Sequence, residues 1–373
     1  MTATAPMLDP HAARADVRPP RIGRTDHRTE VLPLRADDGA QLTLVHVRGP
    51  HEPHRGPVLL VHGAGVRAEL FRPPIPHTIV DALLDEGWDV WMLNWRASID
   101  LDRLPWTLTD AARYDHPAAV RFVRAATGAA TVKAIVHCQG STSFSLAAAA
   151  GLLPDVDTIV SNAVSLHPVI PAYSRFKILA MAPWIGRVTD YLSPAWAYRS
   201  EGYFSRIVRR TVALTHPECD NLVCRMVSFT YGSGRPALWS HRHLDAATHD
   251  WITGEFAAVP MSFFAEMGVS VRGGHLVPTR DDRADAPLPG PSAIPADVAT
   301  AAPRTQARFA LFAGADNRCF LAESQRRTFA HLERYQPGRH SLSVIEGYGH
   351  LDMFFGRDAW RDIHPLMLKE LGR

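Results

Sequence analysis

The chain has 373 residues, enough for one large domain or two to three small ones. Its 46% apolar and 21% charged residues are ordinary globular composition, and a net charge of +2, from 40 basic and 38 acidic side chains, lacks the basic excess of a dedicated nucleic-acid binder. Four cysteines (Cys138, Cys219, Cys224, Cys319) are too few for a disulfide scaffold, and no apolar run reaches the roughly 18 residues of a transmembrane span.

Residues 1–24 are rich in Pro, Arg, Ala and Asp and lack the apolar core of a secretory signal. A flexible tail on a soluble, cytoplasmic protein is expected. From Thr29 the segments TEVLPL (29–34) and QLTLVHV (41–47) alternate as half-buried strands do, and ADDGA between them is a turn signal; together they predict a hairpin. GPVLLVHGAG (56–65) holds a continuous apolar run ending in glycines, the pattern of a strand buried on both faces. A helix is expected over 76–87, a strand over 88–95, a helix over 109–128, a strand over 132–137, a helix over 141–153 and a strand over 156–164. The rhythm then breaks. Residues 165–304 are aromatic-rich and Pro-interrupted, with a Pro/Ala-rich loop over 281–303. It resumes with a strand (307–314), a helix (321–333), a strand (340–347) and a terminal helix (359–371). Alternating strands and helices of this length mean βαβ units and a mostly parallel sheet with helices on both faces. The expected organisation is an α/β core (25–164 and 305–373) split by a large, mainly helical cap (165–304).

The junction of strand 132–137 with the following helix reads Val136-His137-Cys138-Gln139-Gly140-Ser141. A sharp strand-to-helix turn lifts its central residue above the sheet, and small residues on either side let the backbone bend. Cys138 is therefore the candidate nucleophile, with Gly140 as the small residue after it and Val136 where glycine is usual. A helix N-terminus and a nearby imidazole are expected to lower the thiol's pKa from about 8.5. Ser141 and Ser143 are rivals, but both fall inside the helix. His62-Gly63-Ala64-Gly65 ends the first buried strand, where glycines let backbone N–H groups face an oxyanion; the amides of Ala64 and Gln139 would form the hole. Gly314-Ala315-Asp316 and Tyr348-Gly349-His350 follow the last two strands on the same sheet edge as Cys138. His350 is the expected base and Asp316 the expected acid that orients it, with Asp352 as a competing acid.

The segments VLLVHGAG, VHCQGST, GADNRCF and GYGHLDMFFGRDAWRDI together resemble the α/β-hydrolase superfamily. GWDVWMLNWRAS and HLDMFFG are similar to its acid-lipase branch. With ECDNLVCRMVSFTYG and HLDAATHDW, they are closer still to the cysteine-nucleophile hydrolase domains associated with cholesterol-oxidase-like flavoproteins. The resemblance implies the α/β-hydrolase fold, a Cys138–Asp316–His350 triad and acyl transfer from an ester-like substrate. The departures are cysteine for the lipase serine and Val136 for glycine. Cysteine also occupies this position in polyhydroxyalkanoate synthases and dienelactone hydrolases, so the class does not by itself make water the acceptor. No flavin or dinucleotide fingerprint is present, and no cofactor is expected.

The cap carries many aromatic residues, expected to build its own core and to line an apolar acyl or ring pocket. Cys219-x4-Cys224 with His241, His243 and His249 fits no common zinc spacing, so no metal is expected and these are read as buried thiols and exposed imidazoles. The expected activity is hydrolysis of a hydrophobic carboxylic ester or thioester through an acyl-cysteine. The alternatives are acyl transfer to an alcohol, amine or thiol, and a non-catalytic hydrolase-fold binding protein. The oligomeric state is not readable from the sequence.

Overall fold

The computed structural model describes residues 26–279 and 294–373. The expected N-terminal tail (1–24) and residues 281–293 of the expected Pro/Ala-rich loop lie outside the described residues.

The hairpin forms as expected, β1 (Arg28–Arg35) pairing antiparallel with β2 (Gln41–Arg48). Four further strands follow: β3 (Pro57–Val61), β4 (Asp89–Asn94), β5 (Val132–His137) and β6 (Val156–Asn162). After the insertion, whose described residues contribute the two-residue pair β7 (Tyr191–Leu192) and β8 (Val259–Pro260), come β9 (Arg308–Gly314) and β10 (Ser341–Ile345). The main sheet has the order β1-β2-β4-β3-β5-β6-β9-β10. β2 meets β4 antiparallel, and every pairing from β4 to β10 is parallel.

The continuous apolar runs of the inner strands follow from burial on both faces. In β3, Leu59 and Val61 join one core cluster and Val58 and Leu60 the other; β4 divides in the same way, Trp91 and Leu93 against Val90 and Met92. The first face is covered by α2 (His116–Thr127) and α3 (Cys138–Ala149), the second by α1 (Ile79–Asp85) and α9 (His364–Leu371). Between α3 and α9 lie α4 (172–185), α5 (Tyr203–Thr215), α6 (Leu222–Tyr231), α7 (Met261–Gly273) and α8 (Ala322–Tyr335). The first four belong to the segment between β6 and β9.

Several helix boundaries differ from expectation, and proline explains most of them. The helix expected over 109–128 contains a π turn at Ala111–Asp115, just before Pro117 at the start of α2. A π turn at Lys177–Met181 likewise precedes Pro183 inside α4. A proline has no N–H to donate and crowds the preceding turn, so the ladder loosens by a residue there. The terminal helix breaks at Ile363, ahead of Pro365. The helix expected from Ser141 begins three residues earlier, at Cys138 itself.

Candidate active site

Strand β5 ends at His137 in extended conformation, and α3 starts on the next residue with no intervening loop. The bend is taken up by Cys138, which has φ +55°, the left-handed region that costs a side-chain-bearing residue about 1 kcal/mol or more. Gly140 makes the bend possible, because a Cβ there would stand 2.1 Å from the carbonyl oxygen of His62. The sheet, through β3, therefore presses directly on the first turn of α3. Val136 in place of glycine is accommodated because it points into the core and is fully buried. Ser141 and Ser143 are buried and engaged elsewhere, Ser141 with Ser161 (2.5 Å) and Ser143 with His116 (2.7 Å).

The loop after β3 lies against the thiol. A Cβ on Gly63 would come within 2.9 Å of the Cys138 Cβ and 3.3 Å of its Sγ, and Gly65 has φ +69°. Burial pushes the Cys138 thiol up to about 12, opposed by hydrogen bonds from the backbones of Gln139 and Ala64 that favour the thiolate. The two amides expected to form an oxyanion hole thus face the sulfur. The lowered thiol pKa expected from the helix N-terminus does not result: withdrawal from solvent outweighs it. His62 turns its Nδ1 to the Gly63 carbonyl (2.7 Å) and is lowered to about 4, chiefly by burial. The loop is tied down by Arg67, which bonds Glu255 (2.9 Å) of the insertion and Asp100 (2.8 Å).

The far end of the chain supplies the imidazole. His350 is 1% exposed, and ring nitrogens of His137 and His350 and the Sγ of Cys138 all lie within 4.8 Å of one another. Its loop is held by Leu238, whose carbonyl accepts the His350 (2.9 Å) and Leu351 (2.8 Å) amides. Asp352 does not face the ring. It accepts the amides of Gly349 (2.7 Å) and Ser240 (3.2 Å), and burial pushes its carboxyl up to about 7. Asn162 ties the His137 ring to the backbone of His350, its amide 2.9 Å from His137 Nδ1 and donating to the His350 carbonyl (3.3 Å). Burial lowers His350 to about 3, and burial, followed by the neighbouring His350 and His62, holds His137 well below the ordinary histidine value. At neutral pH the site therefore rests as thiol and imidazole, without a preformed ion pair.

The structure departs from expectation at the third group. Asp316 faces solvent, 55% exposed, with its carboxylate 3.4 Å from Arg242. The residue against the ring is its neighbour Asn317, 1% exposed, whose Nδ2 lies 3.0 Å from His350 Nδ1. The cause is the turn after β9. The Asp316 amide donates to the Tyr348 carbonyl and the Asn317 amide to Gly314, which sends the first side chain outward and the second inward. Asn317 Oδ1 accepts the amides of Cys319 (2.9 Å) and Phe320 (3.2 Å). That fixes the amide so that NH2, a donor, meets the ring. Nδ1 then accepts, and the ring proton sits on Nε2.

Around the thiol is a cavity lined by Ala64, His137, Gln139, Tyr231, Leu238 and His350, among others. It shares Gln139, Tyr231 and Cys319 with a larger apolar pocket built by α4, α6 and α7, with Ile178, Met181, Phe229, Phe263, Phe264 and Met267 on its walls. The sequence did not single out Tyr231 beyond its place among the insertion's aromatics. Its hydroxyl is buried where the two spaces meet, without a hydrogen-bond partner among the described residues. The Nε2 atoms of His137 and His350 and the Oε1 of Gln139, all lining residues of the same cavity, are likewise buried and unpaired among the described residues. Buried polar atoms are normally paired, so this concentration at one cavity marks a place for a polar ligand group.

Two clusters of the described residues bring together donors of the kind that bind metals: His137, Cys138 and His350 at this cavity, and Cys219, Cys224, His241 and His249 in the insertion. The second was not expected from spacing. His243, grouped with it in sequence, instead stacks on Tyr348.

Comparisons with known proteins agree with this architecture. Residues 56–213 match the family model described as alpha/beta hydrolase fold. A sterol esterase of Saccharomyces cerevisiae, Sterol esterase 2, is 26% identical over 130 residues, covering 30% of this chain and 24% of that protein. The chain therefore matches about a quarter of that relative's length. Among solved structures, a lipase candidate from Sulfolobus solfataricus superposes with TM-score 0.57 at 13% identity, covering 95% of this chain and 97% of that one. Naproxen esterase from Bacillus subtilis superposes with TM-score 0.50 at 10% identity, covering 98% and 99%. None of the described helices is long and apolar enough to cross a membrane. The sheet order, the strand-to-helix bend at Cys138 and these matches together show that the fold is that of the α/β-hydrolase superfamily.

Proposed function

We propose that the protein is an acyl-transfer enzyme of the esterase and thioesterase type, with Cys138 as nucleophile, His350 as proton carrier, Asn317 as the group that orients the ring, and the Ala64 and Gln139 amides as oxyanion hole. The reading rests chiefly on one observation: a cysteine in left-handed conformation at the strand–helix bend, its sulfur facing two backbone amides, with a buried imidazole nitrogen within 4.8 Å.

The thiol sulfur attacks the substrate carbonyl carbon while its proton passes to His350, and the oxyanion lies between the two amides. Collapse breaks the bond to the leaving alcohol or thiol, which takes the proton from His350 and departs. The product left behind is an acyl-cysteine. Water then attacks the thioester with His350 as base, and the carboxylic acid leaves with regeneration of the thiol. For His350 to accept a proton on Nε2, its own proton must first sit on Nδ1. The Asn317 amide opposes that tautomer, so the resting site is poised on the unreactive side. Tyr231 is placed to donate to a substrate oxygen at the entrance to the apolar pocket. The pocket favours an apolar acyl chain or ring system, in keeping with the local likeness to a sterol esterase.

The test is intact-protein mass spectrometry after brief exposure to p-nitrophenyl esters and acyl thioesters of increasing chain length. The expected result is a single acyl adduct that disappears in Cys138→Ala and decays in water with release of the acid. Wild-type protein that forms no adduct, and binds the same compounds as well as Cys138→Ala does, would make it a binding protein. Decay only on addition of an alcohol, amine or thiol would make it a transferase.

A further inference from the structure

We propose that Cys219, Cys224, His241 and His249 form a structural zinc site that holds the insertion against the loop of His350. The inference is independent of the reaction assigned above.

The four residues come from four separate pieces of the insertion: the loop before α6, the first turn of α6, the short turn His241–His243 and the short helix Ala246–Trp251. Their donor atoms nevertheless all lie within 4.8 Å of one another. Both histidines present Nε2, with Cys219 Sγ 3.6 Å from His249 and Cys224 Sγ 3.4 Å from His241. A tetrahedral zinc ion has Zn–S of about 2.3 Å and Zn–N of about 2.0–2.1 Å, which sets the sulfur-to-nitrogen edge of the tetrahedron at about 3.6 Å. The observed edges match that value. The two imidazole planes are perpendicular (90°, centroids 5.0 Å apart), so both nitrogens can aim at one centre without stacking. Two thiolates and two neutral imidazoles leave a site of zero net charge around a divalent ion, with two protons released on binding. Two soft sulfurs with two imidazoles in tetrahedral array select zinc over magnesium or calcium, which take oxygen ligands. Four protein ligands leave no open position, the mark of a structural site.

The supporting frame is in place. Asn221 accepts the amides of Val223 (3.0 Å) and Cys224 (3.3 Å) and donates to the His249 carbonyl (2.8 Å), fixing three of the ligand segments to one another. Arg225 bonds the carbonyls of Cys219 and Ala213. The spacing hid the site because its second half is His-x7-His rather than the compact histidine pair of a zinc finger, and the two imidazoles meet only after the chain folds back from 241 to 249.

The ligands flank parts of the active site. The segment just before His241 contains Leu238, whose carbonyl holds the His350 and Leu351 amides, and α6 carries Cys224 in its first turn and Tyr231 at its end. An ion here would fix the base and the phenol relative to each other without touching substrate.

The experiment is metal analysis of tag-free protein expressed in zinc-supplemented medium, alongside Cys219→Ser/Cys224→Ser and Cys138→Ser. The expected result is about one zinc per chain in wild type and in Cys138→Ser, and none in the double variant. Cobalt replacement should give the thiolate-to-metal and d–d absorption of a tetrahedral centre. Should the double variant fail to fold, wild-type protein is treated with a chelator instead; its thermal midpoint should drop and recover when zinc is returned. Folded wild type with less than a tenth of an equivalent of metal and no cobalt uptake overturns the proposal. So does metal that survives in the double variant but is lost in Cys138→Ser, which would place it at the His137–Cys138–His350 cluster. Iron in place of zinc would overturn the identity of the ion.

Discussion

Replacing Asn317 by Asp probes the catalytic reading most directly, because it exchanges a donor for an acceptor at one ring atom and changes almost no volume. In the structure the Asn317 NH2 meets His350 Nδ1 at 3.0 Å, while its oxygen accepts two backbone amides that a carboxylate would also accept. Asn317→Asp should therefore fold with the side chain in the same place. The ring must then carry its proton on Nδ1, leaving Nε2 free toward the sulfur. A hydrogen bond to a charged partner is worth about 1.5–3 kcal/mol, equivalent to about one to two pH units for the imidazole. His350, lowered to about 3 by burial, should rise to between about 4 and 5. Removing the wrong-tautomer hydrogen bond, about 1 kcal/mol, should raise kcat/KM at pH 7 by about fivefold. The assay is kcat/KM for a chromogenic ester in short measurements from pH 4.5 to 9. Wild type should show no bend from His350 on the acid side of that range, whereas Asn317→Asp should bend downward near its lower end. An unchanged acid limb together with a tenfold or greater loss at pH 7 in folded protein would refute the tautomer argument.

Three further outcomes are expected. Gly140→Ala would force a Cβ to 2.1 Å from the His62 carbonyl and should cost about 3 kcal/mol by denaturant melt; Gly63→Ala, which meets the Cys138 side chain at 2.9 Å, should instead keep most stability and lose turnover. Tyr231→Phe deletes a buried, unpaired hydroxyl and should raise stability by about 1 kcal/mol while lowering kcat/KM about tenfold; unchanged kinetics would remove the phenol from the site. Acid should unfold the protein early. His62 (about 4), His116, His350 and His364 (about 3) and His137 (well below 6.5) are buried neutral, so the unfolded chain binds protons the native state does not, and stability falls as pH drops below 6.5. Each loses about 1.4 kcal/mol per pH unit, and the raised carboxyls of Glu266 and Asp352 (about 7), which take up protons in the native state, offset about half. The net loss from pH 7 to 5.5 should be about 3 kcal/mol by chemical denaturation; a flat profile would contradict the neutral burial of these rings.

Residues adjacent in the chain carried their message in the sequence. The apolar run of β3, the turn chemistry around Cys138 and the return of strand–helix alternation at 307 were enough for the sheet and for the bend, because local period and turn residues respond to neighbours a few positions away. Tertiary contacts decided the rest. Asp316 and Asn317 are equally polar neighbours, and only hydrogen bonds to Gly314 and Tyr348 set which one turns inward. Tyr231 was one of many aromatics until α6 placed it at the mouth of the cavity. Cys219, Cys224, His241 and His249 form no pattern along the chain and converge only once the insertion has folded. The protonation state of the thiol likewise belongs to the fold, since composition identifies a sulfur beside a helix N-terminus but only packing determines how much water it loses.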